Sequence, residues 1–96
     1  MNEKEMRIYK YKLGDYLDKS SVRLQMGAKI LSVNKQNNEW FLWAMIDPYE
    51  TKMEERVIRM AGTGHTLENV RSLEYLNTVL DGIYVWHFFE EKQRRT

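Results

Sequence analysis

The sequence predicts a mainly β, single-domain fold, either an antiparallel β-sandwich or a small open barrel of about seven strands with at most one short helix. Three observations carry this expectation. Apolar and polar residues alternate with a period of two in several segments. Turn-forming Gly, Asn, Asp and Pro punctuate those segments at short intervals. No apolar pattern of helical period lasts longer than two turns.

The elements follow in order. In residues 6–13, Tyr9, Tyr11 and Leu13 share one face and Lys10 and Lys12 the other, the mark of a half-buried strand. Gly14-Asp15 breaks it, and 16–21 reads as a loop with room for one helical turn. Residues 21–26 alternate again, with Val22, Leu24 and Met26 on one face. Gly27 then marks a tight turn or bulge before a strand at 28–33, with Leu31 and Val33 expected on one side.

Asn37-Asn38 tolerates left-handed geometry and predicts a hairpin turn. The strand after it, Glu39 to Asp47, is apolar on both faces and ends at Pro48. A charged loop at 49–55 leads to a strand at 56–61, in which Arg56, Ile58 and Met60 oppose Val57, Arg59 and Ala61. Gly62-Thr63-Gly64-His65 follows, and Thr66 has the chemistry of a helix cap for a short helix within 66–72. Two last strands, 73–80 and 83–89, flank Asp81-Gly82, the strongest hairpin signal in the chain.

A chain of 96 residues has room for one domain, 1–96, with 1–5 and 91–96 expected to fray. There is no cysteine, so disulfides and thiolate metal sites are excluded and a cytoplasmic location is expected. The charged N-terminus does not resemble a signal peptide, and the longest apolar run, Trp40 to Ile46, falls far short of a membrane span. Fifteen basic and fourteen acidic residues leave a net charge of +1, without the basic excess of a non-specific duplex binder. Lys10 and Lys12 interleave with Tyr9 and Tyr11, but the alternation sends them to opposite faces, so nucleic-acid binding is not expected.

His65 and His87 lack metal-ligand spacing, and no metal or cofactor is expected. Thr63, His65 and Asp81 supply residue types for nucleophilic catalysis but no motif, so the chain is expected not to be an enzyme. The 62–65 turn carries more weight. Two glycines after a strand let successive N–H groups turn toward an anion, with a helix start beyond them. The expected ligand-binding set is Arg56, Arg59, Gly62, Thr63, Gly64, His65, Trp86 and His87. The apolar strands predict a homo-oligomer with an interface drawn from Trp40, Phe41, Trp43, Met45, Tyr84 and Phe88.

Gly27 to Val33 (GAKILSV), Leu42 to Asp47 (LWAMID), Gly62 to His65 (GTGH) and Val85 to Glu90 together resemble a family of small uncharacterised phage and prophage proteins. The chain departs from that pattern at Met45-Ile46 and in its more aromatic ending. The resemblance implies a phage accessory protein acting in the host cytoplasm in counter-defence, such as a non-enzymatic oligomer that sequesters a small anionic, nucleotide-type signal. Two alternatives stand beside it: an inhibitor that binds a host defence protein, and a minor virion or structural protein.

Overall fold

The computed structural model of the protein describes residues 5–14 and 18–92. Seven strands follow one another: β1 (Arg7–Lys12), β2 (Lys19–Gln25), β3 (Lys29–Gln36), β4 (Glu39–Ile46), β5 (Met53–Gly62), β6 (Leu73–Asp81) and β7 (Tyr84–Glu91). A 3-10 turn at Val70–Ser72 precedes β6. The strands form two antiparallel sheets, β1–β4–β3 and β2–β5–β7–β6. The sheets stack on a shared core and share no backbone ladder, so the fold is a sandwich and not a barrel.

Alternation explains which side chains fill the core. Leu42, Ala44 and Ile46 of β4 are fully buried, and Ile30 and Val33 of β3 join them from the same sheet. Val22 and Leu24 of β2, Ile58 of β5, Val79 of β6 and Phe88 of β7 face them from the other. The Trp40 ring lies 5.1 Å from that of Phe88. Burying each large aliphatic or aromatic side chain here contributes about 1.5–3 kcal/mol. Trp40 and Phe88 therefore belong to the core, which corrects their expected place in a subunit interface: residues of even number in β4 and β7 point inward.

The hairpins follow their turn chemistry. Asn37 and Asn38 both have positive φ, 53° and 64°, as a two-residue turn of type I′ requires. In the β6–β7 hairpin Asp81 still pairs with Tyr84, so the turn residues are Gly82, with φ 62°, and Ile83. That is one position later than Asp81-Gly82 suggests.

Several expected elements differ. A bulge between Ile30 and Ser32 shifts the phase of β3, so Ile30 joins Val33 on the inner face and Leu31 turns outward. Lys19 to Ser21 belong to β2 because they pair with Val57 to Arg59, while the expected loop at 16–17 lies outside the described residues. Met53 to Glu55 extend β5 into the expected loop by pairing with Arg23 to Gln25. No α-helix starts at Thr66: Asn69 sits in the left-handed region, and Val70 is 58% exposed with no apolar partner for a helix face. Glu91 is in β7, and the Lys92 N–H donates to Ser72 O at 2.7 Å, so the expected fraying does not begin at 91. Residues 1–4 and 93–96 lie outside the described residues.

The two sheets are also joined along one side, where β3 and β6 run as facing edges. A second bulge, between Tyr75 and Asn77 of β6, aims the Asn77 side chain across the gap. Its amide bonds to both backbone groups of Val33. Lys35 of β3 reaches Asp81 of β6 at 3.0 Å. Among the described residues, no helix is long and apolar enough to cross a membrane.

Candidate functional site

The end of β5 and the β6–β7 hairpin form a cleft of about 310 Å³ lined by Gly62, Thr63, His65 and residues 83–86. Its floor depends on Gly62. A Cβ there would sit 2.9 Å from His65 Cε1 and 3.0 Å from Trp86 Cζ3, so only glycine lets both rings close over the backbone. The turn itself is closed by His65 N–H donating to Gly62 O at 2.9 Å, with Gly64 at φ 89°. Thr63 N–H donates to Val85 O at 3.1 Å and ties the turn to β7.

These two bonds alter the expected chemistry of the turn. The N–H groups of Thr63 and His65 are engaged by carbonyls, so the turn offers no run of free amides to an anion, and no helix stands behind it. The cleft offers rings instead. Tyr84 and Trp86 stack at 5.6 Å and 19°, and His65 meets Trp86 edge-on at 6.3 Å. Trp86 is held by its Nε1–H donating to Asp81 Oδ2 at 3.3 Å. Lys35 and then Trp86, by hydrogen bonding the Asp81 carboxylate, hold its pKa below the ordinary value.

Of the expected ligand residues, Gly62, Thr63, Gly64, His65 and Trp86 come together at this turn and cleft. His87 points to the opposite face of its sheet and touches the cleft only through Thr63. Its Nε2 lies 2.8 Å from Thr63 Oγ1, its Nδ1 2.9 Å from Thr78 Oγ1, and Thr78 Oγ1 2.6 Å from the Tyr75 hydroxyl. Both ring nitrogens are thus engaged by hydroxyls, a chain that fixes the orientation of the imidazole.

Arg56 and Arg59 lie elsewhere. Arg56 is nearly buried, its Nε and Nη2 both donating to Glu90, its Nη1 to Ala28 O at 2.8 Å and to Glu54 at 3.2 Å. Its hydrogen bonds to the Glu90 carboxylate raise its pKa further against the opposing effect of burial. With its donors directed inward to these partners, Arg56 braces the sandwich. Arg59 pairs with Glu91 at 3.4 Å on the outer face of its sheet.

Around Arg59 the structure shows a group that sequence reasoning missed. Lys19, Arg59, Arg71 and Lys92 border one hollow with Glu91, and Asp18 and Glu68 border the adjoining one. These residues come from distant parts of the chain, and no local pattern announces them. Their mixed signs make an ion-pair cluster with no single strong charge.

The outer face of the three-stranded sheet carries the rest of the expected interface. Phe41, Trp43 and Met45 point there, half-buried, with Ile8 59% and Leu31 39% exposed beside them. Among the described residues, no group of three or more His, Asp and Glu could hold a metal ion.

Neither the curated proteins nor the solved structures contain a match to this chain. A domain family of unknown function, DUF7352, matches residues 5–96, and the chain belongs to that family.

Proposed function

We propose that this is a non-enzymatic binding domain whose ligand is a small, ring-bearing molecule of nucleotide type, held in the cleft of Gly62, Thr63, His65, Tyr84 and Trp86. One observation carries the reading: the stacked pair Tyr84–Trp86, with His65 edge-on to Trp86 over a glycine that admits no side chain. Such a wall takes a flat base by stacking, and the His65 ring supplies a polar edge. Arg56 does not take part, and the cleft favours a ring more than it favours charge.

The cleft is shallow for a private pocket, and its lip is apolar. Ile83 is 90% exposed and Tyr84 56%. A second copy seated on this hairpin would bury those side chains and close the site, so the reading includes a homo-oligomer. The resemblance to phage proteins supports a counter-defence role in the host cytoplasm, with sequestration and not turnover of the ligand.

Titration with adenosine monophosphate, cyclic dinucleotides and ADP-ribose, followed by tryptophan fluorescence and by mass spectrometry of the ligand, tests it. Binding that is lost in Trp86→Ala, with the ligand recovered unchanged, is expected. Absence of binding across the panel, or conversion of the ligand, overturns it. A second reading, contact with a host protein, is favoured by Tyr49, which stands 78% exposed in the charged 49–55 segment. A stoichiometric partner lost in Tyr49→Ala would support it.

A further inference from the structure

The outer face of the three-stranded sheet joins residues that the chain keeps apart. Directly opposed residues of antiparallel strands share a face. Lys10 of β1 stands opposite Trp43 of β4, Lys12 opposite Phe41 and Ile8 opposite Met45. From the other side Lys29 stands opposite Met45, Ser32 opposite Trp43 and Asn34 opposite Phe41. Two side-chain contacts agree with this register. Lys10 Nζ lies 4.6 Å from the centroid of the Phe41 ring, and it reaches over β4 to donate to Gln36 Oε1 at 3.0 Å.

The face is therefore an aromatic centre with a basic border. Phe41 and Trp43, 6.2 Å apart, lie on the middle strand, and neither packs against the hydrophobic core. Lys10, Lys12 and Lys29 stand around them. Among the described residues, Glu39 is the one acidic side chain on the face, and it pairs with Lys12 at 3.5 Å. That leaves three cations against one anion, a local excess of +2 in a chain whose total is only +1. Ser32, Asn34 and Gln36 add uncharged donors and acceptors along β3.

We propose that this face binds single-stranded nucleic acid, with bases stacked on Trp43 and Phe41 and phosphates met by Lys10, Lys12 and Lys29. From Phe41 to Met45 the strand runs about 13 Å, and β1 to β3 spans about 10 Å. This is room for two or three bases laid on an open sheet. Aromatic stacking accepts any base, so recognition is by strandedness more than by sequence. Lys10 covers Phe41 in the free protein. Its long side chain swings aside to a phosphate when a base takes its place.

Charge also argues against a second copy on this face. A two-fold contact sets the patch against itself and brings two sets of three lysines together. An anionic strand with π-faces answers both the charge and the rings.

Fluorescence anisotropy with labelled oligothymidylate and oligouridylate of about twelve nucleotides tests the proposal, with a duplex of the same length and a polyglutamate peptide as comparisons. The two single strands distinguish DNA from RNA. Both or either are expected to bind, the duplex at least tenfold more weakly. The slope of log affinity against log salt should be about −2, as expected for three phosphate contacts on a single strand. The double variant Lys10→Glu, Lys29→Glu changes exposed side chains and should fold normally by circular dichroism while losing about tenfold or more in affinity. Trp43→Ala should lose about tenfold by removing one stack. No anisotropy change with either strand at low salt overturns the proposal. So does equal binding of duplex or polyglutamate, full affinity in the lysine variant, or a dimer that Trp43→Ala dissociates.

Discussion

Asn77 acts as a strand for Val33. Its Nδ2 donates to the Val33 carbonyl and its Oδ1 accepts from the Val33 N–H, both at 2.8 Å. A side chain from one sheet thus satisfies the open backbone edge of the other. Asn77→Leu removes both bonds and leaves two partly buried backbone groups unpaired. The expected loss is about 2–6 kcal/mol, at about 1–3 per group, read as a lower midpoint in urea unfolding. Asn77→Ala, which leaves space for water, should lose less.

Arg56 and Glu90 form the most enclosed ion pair among the described residues, 12% and 10% exposed at their side chains. Removing one partner strands the other charge near the core. Arg56→Met and Glu90→Gln should each cost about 3–5 kcal/mol in denaturant unfolding. The double variant Arg56→Met, Glu90→Gln should cost clearly less than the sum of the two, because the Glu90 charge goes with its partner and only Glu54, 3.2 Å from Arg56, is left to be solvated.

Asp81 ties the hairpin to the opposite sheet through Lys35. Its folded pKa lies below the ordinary 3.8, so the bridge contributes fully above that value and is lost as pH falls through the folded one. Asp81→Asn should melt below the wild type at about pH 7, and the gap should close as pH falls from 3.8 through the folded value. A gap that persists in acid would mean that the carboxylate charge is not what matters.

Gly62→Ala forces a methyl group against His65 and Trp86. The rings must part, at a cost of about 1–3 kcal/mol. The tryptophan emission should shift as Trp86 opens to solvent, and ligand binding in the cleft should fall with it. The same substitution at Gly14, where no atom lies within 4 Å of a Cβ, should leave emission unchanged.

Much of the fold is legible in the sequence because alternation and turn chemistry act locally. The two faces of β4 and β7 follow from their residues alone, and Asn37-Asn38 sets its own turn. What stays hidden depends on pairing. Nothing near Lys10 in sequence says that Phe41 and Trp43 stand beside it, and its sequence neighbours Tyr9 and Tyr11 are on the other face. The role of Arg56 is hidden for the same reason, since Glu90 joins it only across β5 and β7. The 62–65 turn is legible as a place where rings and glycines gather. Its amides, expected to face an anion, hold carbonyls, and Val85 O, one of those acceptors, comes from a strand more than twenty residues on.

The bulge at Leu31 makes β3 a strand with a parity error. Ile30 and Val33 face the core although an odd number of steps separates them. Deleting Leu31 would restore even parity, keep both anchors inward and remove only an outward side chain. A regular strand has no such remedy: loss of Arg23 from β2 would send Val22 and Leu24, both core residues, to opposite faces. The chain should therefore tolerate a one-residue deletion at 31, measured as retained cooperative unfolding, and reject one at 23. Lineages free to gain or lose single codons have, at that one point in β3, a place where length can drift without turning the sheet inside out.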